Sequence, residues 1–227
     1  MATVELIDGP VGPIEVALDF PDTARFPVPR GLAVVAHPHP LFGGANTNKV
    51  VLTLSRALVQ LGFIAARPNF RGVGQTGGAH DAGTGEADDT VFVTQLLLER
   101  YAPASLVLGG FSFGSFVQTH VAQRLADAGV AIEKILLIGT ATSRWNVLPV
   151  PAGTLVIHGE LDDTVPLSSV LDWARPQELP VVVVPGADHF FHRRLMIIKA
   201  LVLDAMAPRI GVRAAAGSAP DADDGAG

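Results

Sequence analysis

Ser112 stands at the centre of Gly110-Phe111-Ser112-Phe113-Gly114, directly after the apolar run Leu106-Val107-Leu108-Gly109 and directly before an amphipathic stretch. That is the setting of a nucleophile elbow. A strand turns sharply into a helix, the serine backbone is strained, its hydroxyl projects from the sheet edge, and glycines sit where a Cβ would collide with a neighbouring element. A serine hydroxyl is a weak nucleophile; it needs an imidazole to take its proton and a carboxylate to hold that imidazole in the right tautomer. Two later loops carry such groups. His158-Gly159-Glu160-Leu161-Asp162-Asp163-Thr164-Val165-Pro166 and Pro185-Gly186-Ala187-Asp188-His189-Phe190-Phe191 each follow an apolar run. Asp162 and Asp163 compete as the acid, the duller role of either being a solvated cap for a helix near Ser168. The Gly186-Ala187-Asp188-His189 turn favours His189 as base, with His192 a rival one helical turn on. The order serine, aspartate, histidine, each residue after a strand, predicts acyl transfer.

A tetrahedral intermediate needs two backbone donors aimed at its oxyanion. The Phe113 amide is expected to be one, since it opens the helix after the nucleophile, where the helix dipole also favours negative charge. The second is expected from the loop after Ala36. Pro38 and Pro40 have no N–H, which leaves His39 as first choice and Leu41 as next. Gly43-Gly44 would let the backbone come close to a substrate. Phe42, Phe113, Phe190 and Phe191 fall on loops around Ser112 and would form an apolar wall for an acyl or aromatic group, although core packing explains some of them equally well. Arg71, in Asn69-Phe70-Arg71-Gly72, is placed to bind a substrate carboxylate; tying loops together is its plainer role. His158 reads as a structural histidine, and His80 and His120 as surface or boundary residues.

These groups need a scaffold. Val4 to Ile7 and Ile14 to Leu18 flank the turn-rich Asp8-Gly9-Pro10-Val11-Gly12-Pro13, which predicts an antiparallel hairpin. Leu32 to Ala36, Phe63 to Ala66, Leu106 to Leu108, Ile135 to Ile138, Leu155 to Ile157 and Val181 to Val184 are continuous apolar runs, the pattern of strands buried on both faces. Helical patterns lie between and after them at about Lys49 to Leu61, Asp88 to Arg100, Phe113 to Ala128, Ser168 to Ala174 and Met196 to Ala207. The alternation predicts an α/β fold with a mostly parallel sheet of about eight strands, helices on both faces and no cap domain. Only about 16 residues, Gly139 to Thr154, join the fourth of these runs to the fifth, too few for an independent lid. One domain over 1–207 is expected, followed by a disordered tail over 208–227, a stretch dominated by Ala, Gly, Asp and Pro.

Composition narrows the partners. In 227 residues the chain has 48% hydrophobic residues, a mean hydropathy of +0.38 and a formal net charge of −6. Its 16 Lys and Arg form no run, so neither nucleic acid nor an anionic membrane surface is expected. With no cysteine there are no disulfides, no thiolate metal ligands and no cysteine nucleophile. No basic leader and no apolar stretch near ~20 residues is present, so a cytoplasmic location is expected. A homodimer stays open.

The motifs resemble those of the small, lidless bacterial α/β-hydrolases, related in general appearance to the dienelactone-hydrolase-like and acyl-peptidase-like families. The shared segments are His37-Pro38-His39-Pro40-Leu41-Phe42-Gly43-Gly44, Asn69-Phe70-Arg71-Gly72-Val73-Gly74, the elbow, and the two loops carrying Asp162 and His189. The resemblance implies an α/β-hydrolase fold and a cytoplasmic serine hydrolase of small carboxylic esters, with thioesters open. The family spacing His-Gly-x-x-Asp-x-x-Val-Pro selects Asp162. Dienelactone hydrolases use a cysteine nucleophile, which this chain lacks, so their substrate does not transfer.

Three other readings compete. Gly72-Val73-Gly74-Gln75-Thr76-Gly77 matches a dinucleotide fingerprint, but the residues from Gly78 to Gly85 are not expected to open a phosphate-binding helix, so no nucleotide cofactor is expected. His37, His39, His189 and His192 with Asp162, Asp163 and Asp188 can be assembled on paper into a metal site, but that leaves the elbow unexplained; no metal is expected. A non-catalytic scaffold binding a small ligand is the third alternative.

Overall fold

The computed structural model describes residues 2–207, and the segment expected to be a tail, 208–227, lies outside the described residues. Every apolar run named above lies in a strand. β1 (Thr3–Gly9) and β2 (Gly12–Asp19) form the hairpin; β3 (Gly31–Ala36), β4 (Phe63–Pro68), β5 (Leu106–Phe111), β6 (Lys134–Ile138), β7 (Leu155–Gly159) and β8 (Val181–Val184) follow. They make one eight-stranded sheet of order β1-β2-β4-β3-β5-β6-β7-β8. β1 and β2 pair antiparallel, as do β2 and β4, and all other neighbours are parallel.

The apolar runs are continuous because each face has its own cover. Leu32, Val34 and Ala36 point into one core with Val93 and Leu97 of α2 (Thr84–Tyr101), Val117 and Val121 of α3 (Phe113–Asp127) and Val170 of α4 (Leu167–Ala174). Ala33 and Val35 point into the other with Val51 and Leu54 of α1 (Lys49–Gln60) and Ile198 and Val202 of α5 (Leu195–Ala205). This period of two along β3 is what a strand between two helical layers requires.

The topology also fixes where a site can form. From β3 the chain crosses to β4 on one side, then returns to β5 on the other, so the loops leaving β3 and β5 diverge. A crevice opens at such a reversal, outside the carboxyl ends of the strands. Ala36 pairs with Gly110, and Phe111 with Ile138, so those ends are level along one edge.

One helix begins earlier than its pattern suggests. α2 starts at Thr84, not near Asp88, because the wholly buried Glu86 accepts the Gly83 N–H at 2.8 Å and the Asp81 N–H at 3.0 Å. A carboxylate in the first turn satisfies donors that would otherwise be orphaned. The segment expected not to open a helix therefore does open one, although beyond the glycine fingerprint. The fingerprint loop is closed on itself and on the hairpin: Gly72 donates to Thr76 O, Gly77 to Pro13 O at 2.8 Å and Gln75 to Glu15 Oε2 at 2.9 Å. All of its amides but that of Gly74 are engaged, which is the physical reason it makes a poor phosphate cradle. The 139–154 connection contains neither helix nor strand, and no cap among the described residues covers the sheet edge.

Candidate active site

At the end of β5 the backbone of Ser112 takes φ 55° and ψ −118°, a region that L-residues adopt only when their surroundings impose it. The surroundings are close backbone contacts. A Cβ on Gly114 would lie 2.4 Å from Ala36 O, and one on Gly110 would lie 2.5 Å from Gly114 O. Ser115 Oγ accepts from Ile138 N at 3.1 Å and lies 2.8 Å from Gly110 O, while Gln118 Nε2 donates to Val34 O and Gly109 O at 2.9 and 3.1 Å. Both side chains are buried, and they pin the first turns of α3 to β3, β5 and β6.

His189, on the loop after β8, places Nε2 2.9 Å from Ser112 Oγ and Nδ1 2.6 Å from Asp162 Oδ2. Its ring packs on Phe111 and Phe190, each 5.1 Å away between centroids. Asp162 is fixed in turn: Oδ1 accepts from Thr164 N at 3.0 Å and Val165 N at 2.7 Å. A carboxylate held by two amides and an imidazole is acceptor-only, so His189 Nδ1 donates to it and the Nε2 lone pair faces the serine. The structure thus brings Ser112, Asp162 and His189 into one hydrogen-bonded line. The two rivals lie elsewhere. Asp163 is exposed, and His192 pairs at the surface with Asp188 at 2.6 Å.

His158 is buried beside this line. Nε2 is 2.9 Å from Val165 O and 3.4 Å from Asp162 Oδ2, and Nδ1 has no hydrogen-bond partner among the described residues. Burial, the largest effect, lowers its pKa and keeps the ring neutral.

Both amides favoured as oxyanion donors are free. Neither Phe113 N nor His39 N donates to any described group. Leu41 differs: its N–H is given to His39 Nδ1 at 3.2 Å, and its side chain is 70% exposed, so it is not available as the second donor. Accepting at Nδ1 puts the proton of the neutral His39 ring on Nε2. Burial, aided by the nearby His80 and Arg144, lowers that ring's pKa and favours the neutral form.

Two clefts open on Ser112. The larger, of about 340 Å³, is lined by Phe42, Gly44, Asn48, Arg144, Thr164 and Phe190 besides His39 and His189. The smaller, of about 60 Å³, lies among Phe113, Ala141, Trp145 and Val165 and also touches Arg144. Phe42 and Phe190 line the cleft as expected of an apolar wall. Phe191 does not; it is wholly buried in the core with α5. Arg71 lines neither cleft. Its guanidinium is held by Asp89 at 2.8 and 2.9 Å, the loop-tying role. His80 is a boundary residue: its Nδ1 meets the buried Glu86 at 2.8 Å, and its ring lies 4.6 Å from that of His39 and 5.4 Å from that of Phe113. Arg144, Trp145, Thr164 and Asn48 were not singled out by sequence reasoning. The available signal was position alone, since the 139–154 connection leaves the carboxyl end of the strand beside β5.

Among the described residues no three His, Asp or Glu side chains converge as a metal-binding set, and His37 has both ring nitrogens occupied. No described helix is long and apolar enough to cross a membrane. No family model matches the chain. The uncharacterized protein RP471 of Rickettsia prowazekii is 30% identical over 199 residues, covering 81% of this chain and 80% of the relative. A crystal structure from Xanthomonas campestris, XC6422, described as an α/β serine hydrolase without a lid, is 35% identical with a TM-score of 0.81, over 90% of this chain and 93% of that one. An α/β serine hydrolase homologue from Coxiella burnetii is 33% identical with a TM-score of 0.78, over 90% and 97% of the two chains. Sheet order, absent cap and identity across nearly the whole length agree, and the chain belongs to the lidless α/β serine hydrolases.

Proposed function

We propose that the protein is a serine hydrolase that cleaves small carboxylic esters through an acyl-enzyme on Ser112. The observation that carries this reading is the unbroken line from Ser112 Oγ through His189 to Asp162, at 2.9 and 2.6 Å, beginning at a strained elbow. Ser112 Oγ attacks the ester carbonyl as its proton passes to His189 Nε2. The carbonyl oxygen becomes an oxyanion held by the N–H groups of Phe113 and His39. The C–O bond to the alcohol then breaks, and His189 returns the proton to the leaving oxygen. Water attacks the acyl-enzyme by the same route, with His189 first as base and then as acid.

Phe113 N–H opens α3, so the helix dipole adds to the hydrogen bond at the developing charge. Asp162 stabilises the imidazolium that forms and fixes its tautomer. The uncapped cleft supports small, soluble substrates over an interfacial one, and Phe42 and Phe190 offer apolar surface to them.

A fluorophosphonate probe on the wild type and Ser112→Ala tests the reading, followed by acyl esters of increasing length. Labelling is expected in the wild type alone, with kcat in the variant lower by roughly 10⁴ or more. An unlabelled wild type would move the protein to a ligand-binding scaffold.

A further inference from the structure

The expected carboxylate anchor, Arg71, is neutralised by Asp89, yet another arginine stands at the reaction centre. Arg144 touches both clefts that open on Ser112 and makes no ion pair and no hydrogen bond with any described residue. Arg30, Arg67, Arg71, Arg100, Arg124 and Arg175 each hold a carboxylate, and of the described arginines that hold none, only Arg144 lines a cleft that opens on Ser112. The acids around the cleft are committed elsewhere. Asp162 serves His189, Glu86 serves His80 and the start of α2, and Asp188 serves His192. The adjoining cavity of about 390 Å³, which shares Gly43, Asn48 and Phe190 with the larger cleft, adds Lys49 and Arg193, neither of them in an ion pair among the described residues. Arg144, Lys49 and Arg193 thus stand along the groove that leads to Ser112 with no carboxylate among the described residues in contact with any of them.

We propose that the ester taken by this site is an anion, with a carboxylate a few bonds from the scissile carbonyl bound by Arg144. The inference rests on the reading of Ser112 as the nucleophile. The guanidinium presents a planar fork of donors that matches a carboxylate and is only weakly hydrated, so it binds such a group with geometry as well as charge. Arg144 is exposed, so the interaction is screened by salt and acts chiefly on substrate capture. The group it recognises is remote from the reacting carbonyl and is held alike in ground and transition states, which places the effect in KM.

The full chain is tested with two matched pairs of esters. In one pair, 4-nitrophenyl butyrate is set against the 4-nitrophenyl monoester of glutaric acid; in the other, phenyl acetate is set against 4-carboxyphenyl acetate. The expected result is a preference for the anionic member of at least one pair by about tenfold in kcat/KM, the step that a single charge-assisted contact supplies. Arg144→Gln brings that ratio toward one, Arg144→Lys keeps part of it, and added salt lowers it, with circular dichroism melts confirming that the variants are folded. No anionic preference in either pair, or a preference that Arg144→Gln leaves intact, overturns the inference. Fluorophosphonate labelling separates the two levels. A labelled protein without the preference overturns this inference alone; an unlabelled protein that turns over neither ester overturns the hydrolase reading and this inference with it.

Discussion

The His37 ring donates from Nδ1 to the carbonyl oxygen of Pro38 at 2.6 Å, and its Nε2 accepts the Phe70 N–H at 2.9 Å. The ring is wholly buried, so both bonds are made without competition from water. The Pro38 carbonyl and the His39 N–H belong to one planar trans peptide and point in opposite directions. Pinning the carbonyl therefore aims the amide that we assign to the oxyanion. Gly44 closes the other side, since a Cβ there would lie 2.0 Å from Pro38 O.

Two substitutions at His37 separate its bonds. An asparagine amide nitrogen falls near the position of Nδ1 and keeps the donor to Pro38; a glutamine reaches the position of Nε2 and keeps the acceptor for Phe70. Both are expected to lower stability, because each leaves one buried backbone group unpaired. Only His37→Gln frees the peptide, and its kcat is expected to fall by about 10–100-fold, within the range set by loss of an oxyanion donor. Equal kcat in the two variants, read beside their melting temperatures, would show that His37 acts on stability alone.

The same ring predicts a pH dependence. Burial lowers its pKa from 6.5 to about 4. Between those values the unfolded chain binds the proton and the folded chain does not, so stability rises with pH across the window. The contribution is whole above about pH 6.5 and is lost as the pH falls through about 4. By pH 5 the loss is roughly 2 kcal/mol. His158, also lowered by burial, acts with the same sign. Urea midpoints near pH 7.5 and pH 5 measure it: wild type should lose more than His37→Asn, and equal losses would refute the assignment.

Much of this was legible in the residues because the signals were local. Apolar runs broken by Gly and Pro marked all eight strands, and the elbow sits on a strand-to-helix junction whose glycines are demanded by atoms of the same turn and of the adjacent strand. The spacing around Asp162 and His189 is likewise set by single loops. What could not be read depends on side-chain contacts that hydrophobic periodicity does not register, near in sequence or far. The Glu86 carboxylate moves the start of α2 by reaching back to Asp81 and Gly83, an effect invisible to hydrophobic periodicity. Arg71 and Arg144 are alike as letters. Only the packing of α2, which carries Asp89, decides that the first is neutralised while the second faces the cleft unpaired.

The strain at Ser112 should be measurable as stability. Its φ of 55° and ψ of −118° suit glycine, and any residue with a Cβ bears a cost of roughly 1–3 kcal/mol there. Ser112→Ala and Ser112→Gly both lose the hydroxyl and its bond to His189, so the difference between them isolates the backbone. Ser112→Gly is expected to exceed Ser112→Ala in stability by about 1 kcal/mol or more in urea denaturation. A glycine variant no more stable than the alanine variant would mean that the turn is relaxed.

Arg71 provides the contrast that gives the Arg144 experiment its meaning. Asp89 is buried and accepts two hydrogen bonds from Arg71 at 2.8 and 2.9 Å, while Asp81 lies 3.7 Å from the guanidinium. Hydrogen bonding to Asp89, the largest effect, raises the arginine's pKa further and keeps it charged. Arg71→Met leaves the Asp89 carboxylate buried without its partner, a loss of roughly 3 kcal/mol, and Arg71→Met with Asp89→Leu should recover much of it because apolar groups replace both charges. The discrimination between anionic and neutral esters is expected to survive in the double variant. If the preference were to collapse there while Arg144→Gln kept it, carboxylate recognition would belong to Arg71, and the asymmetry between a paired and an unpaired arginine would have been read the wrong way round.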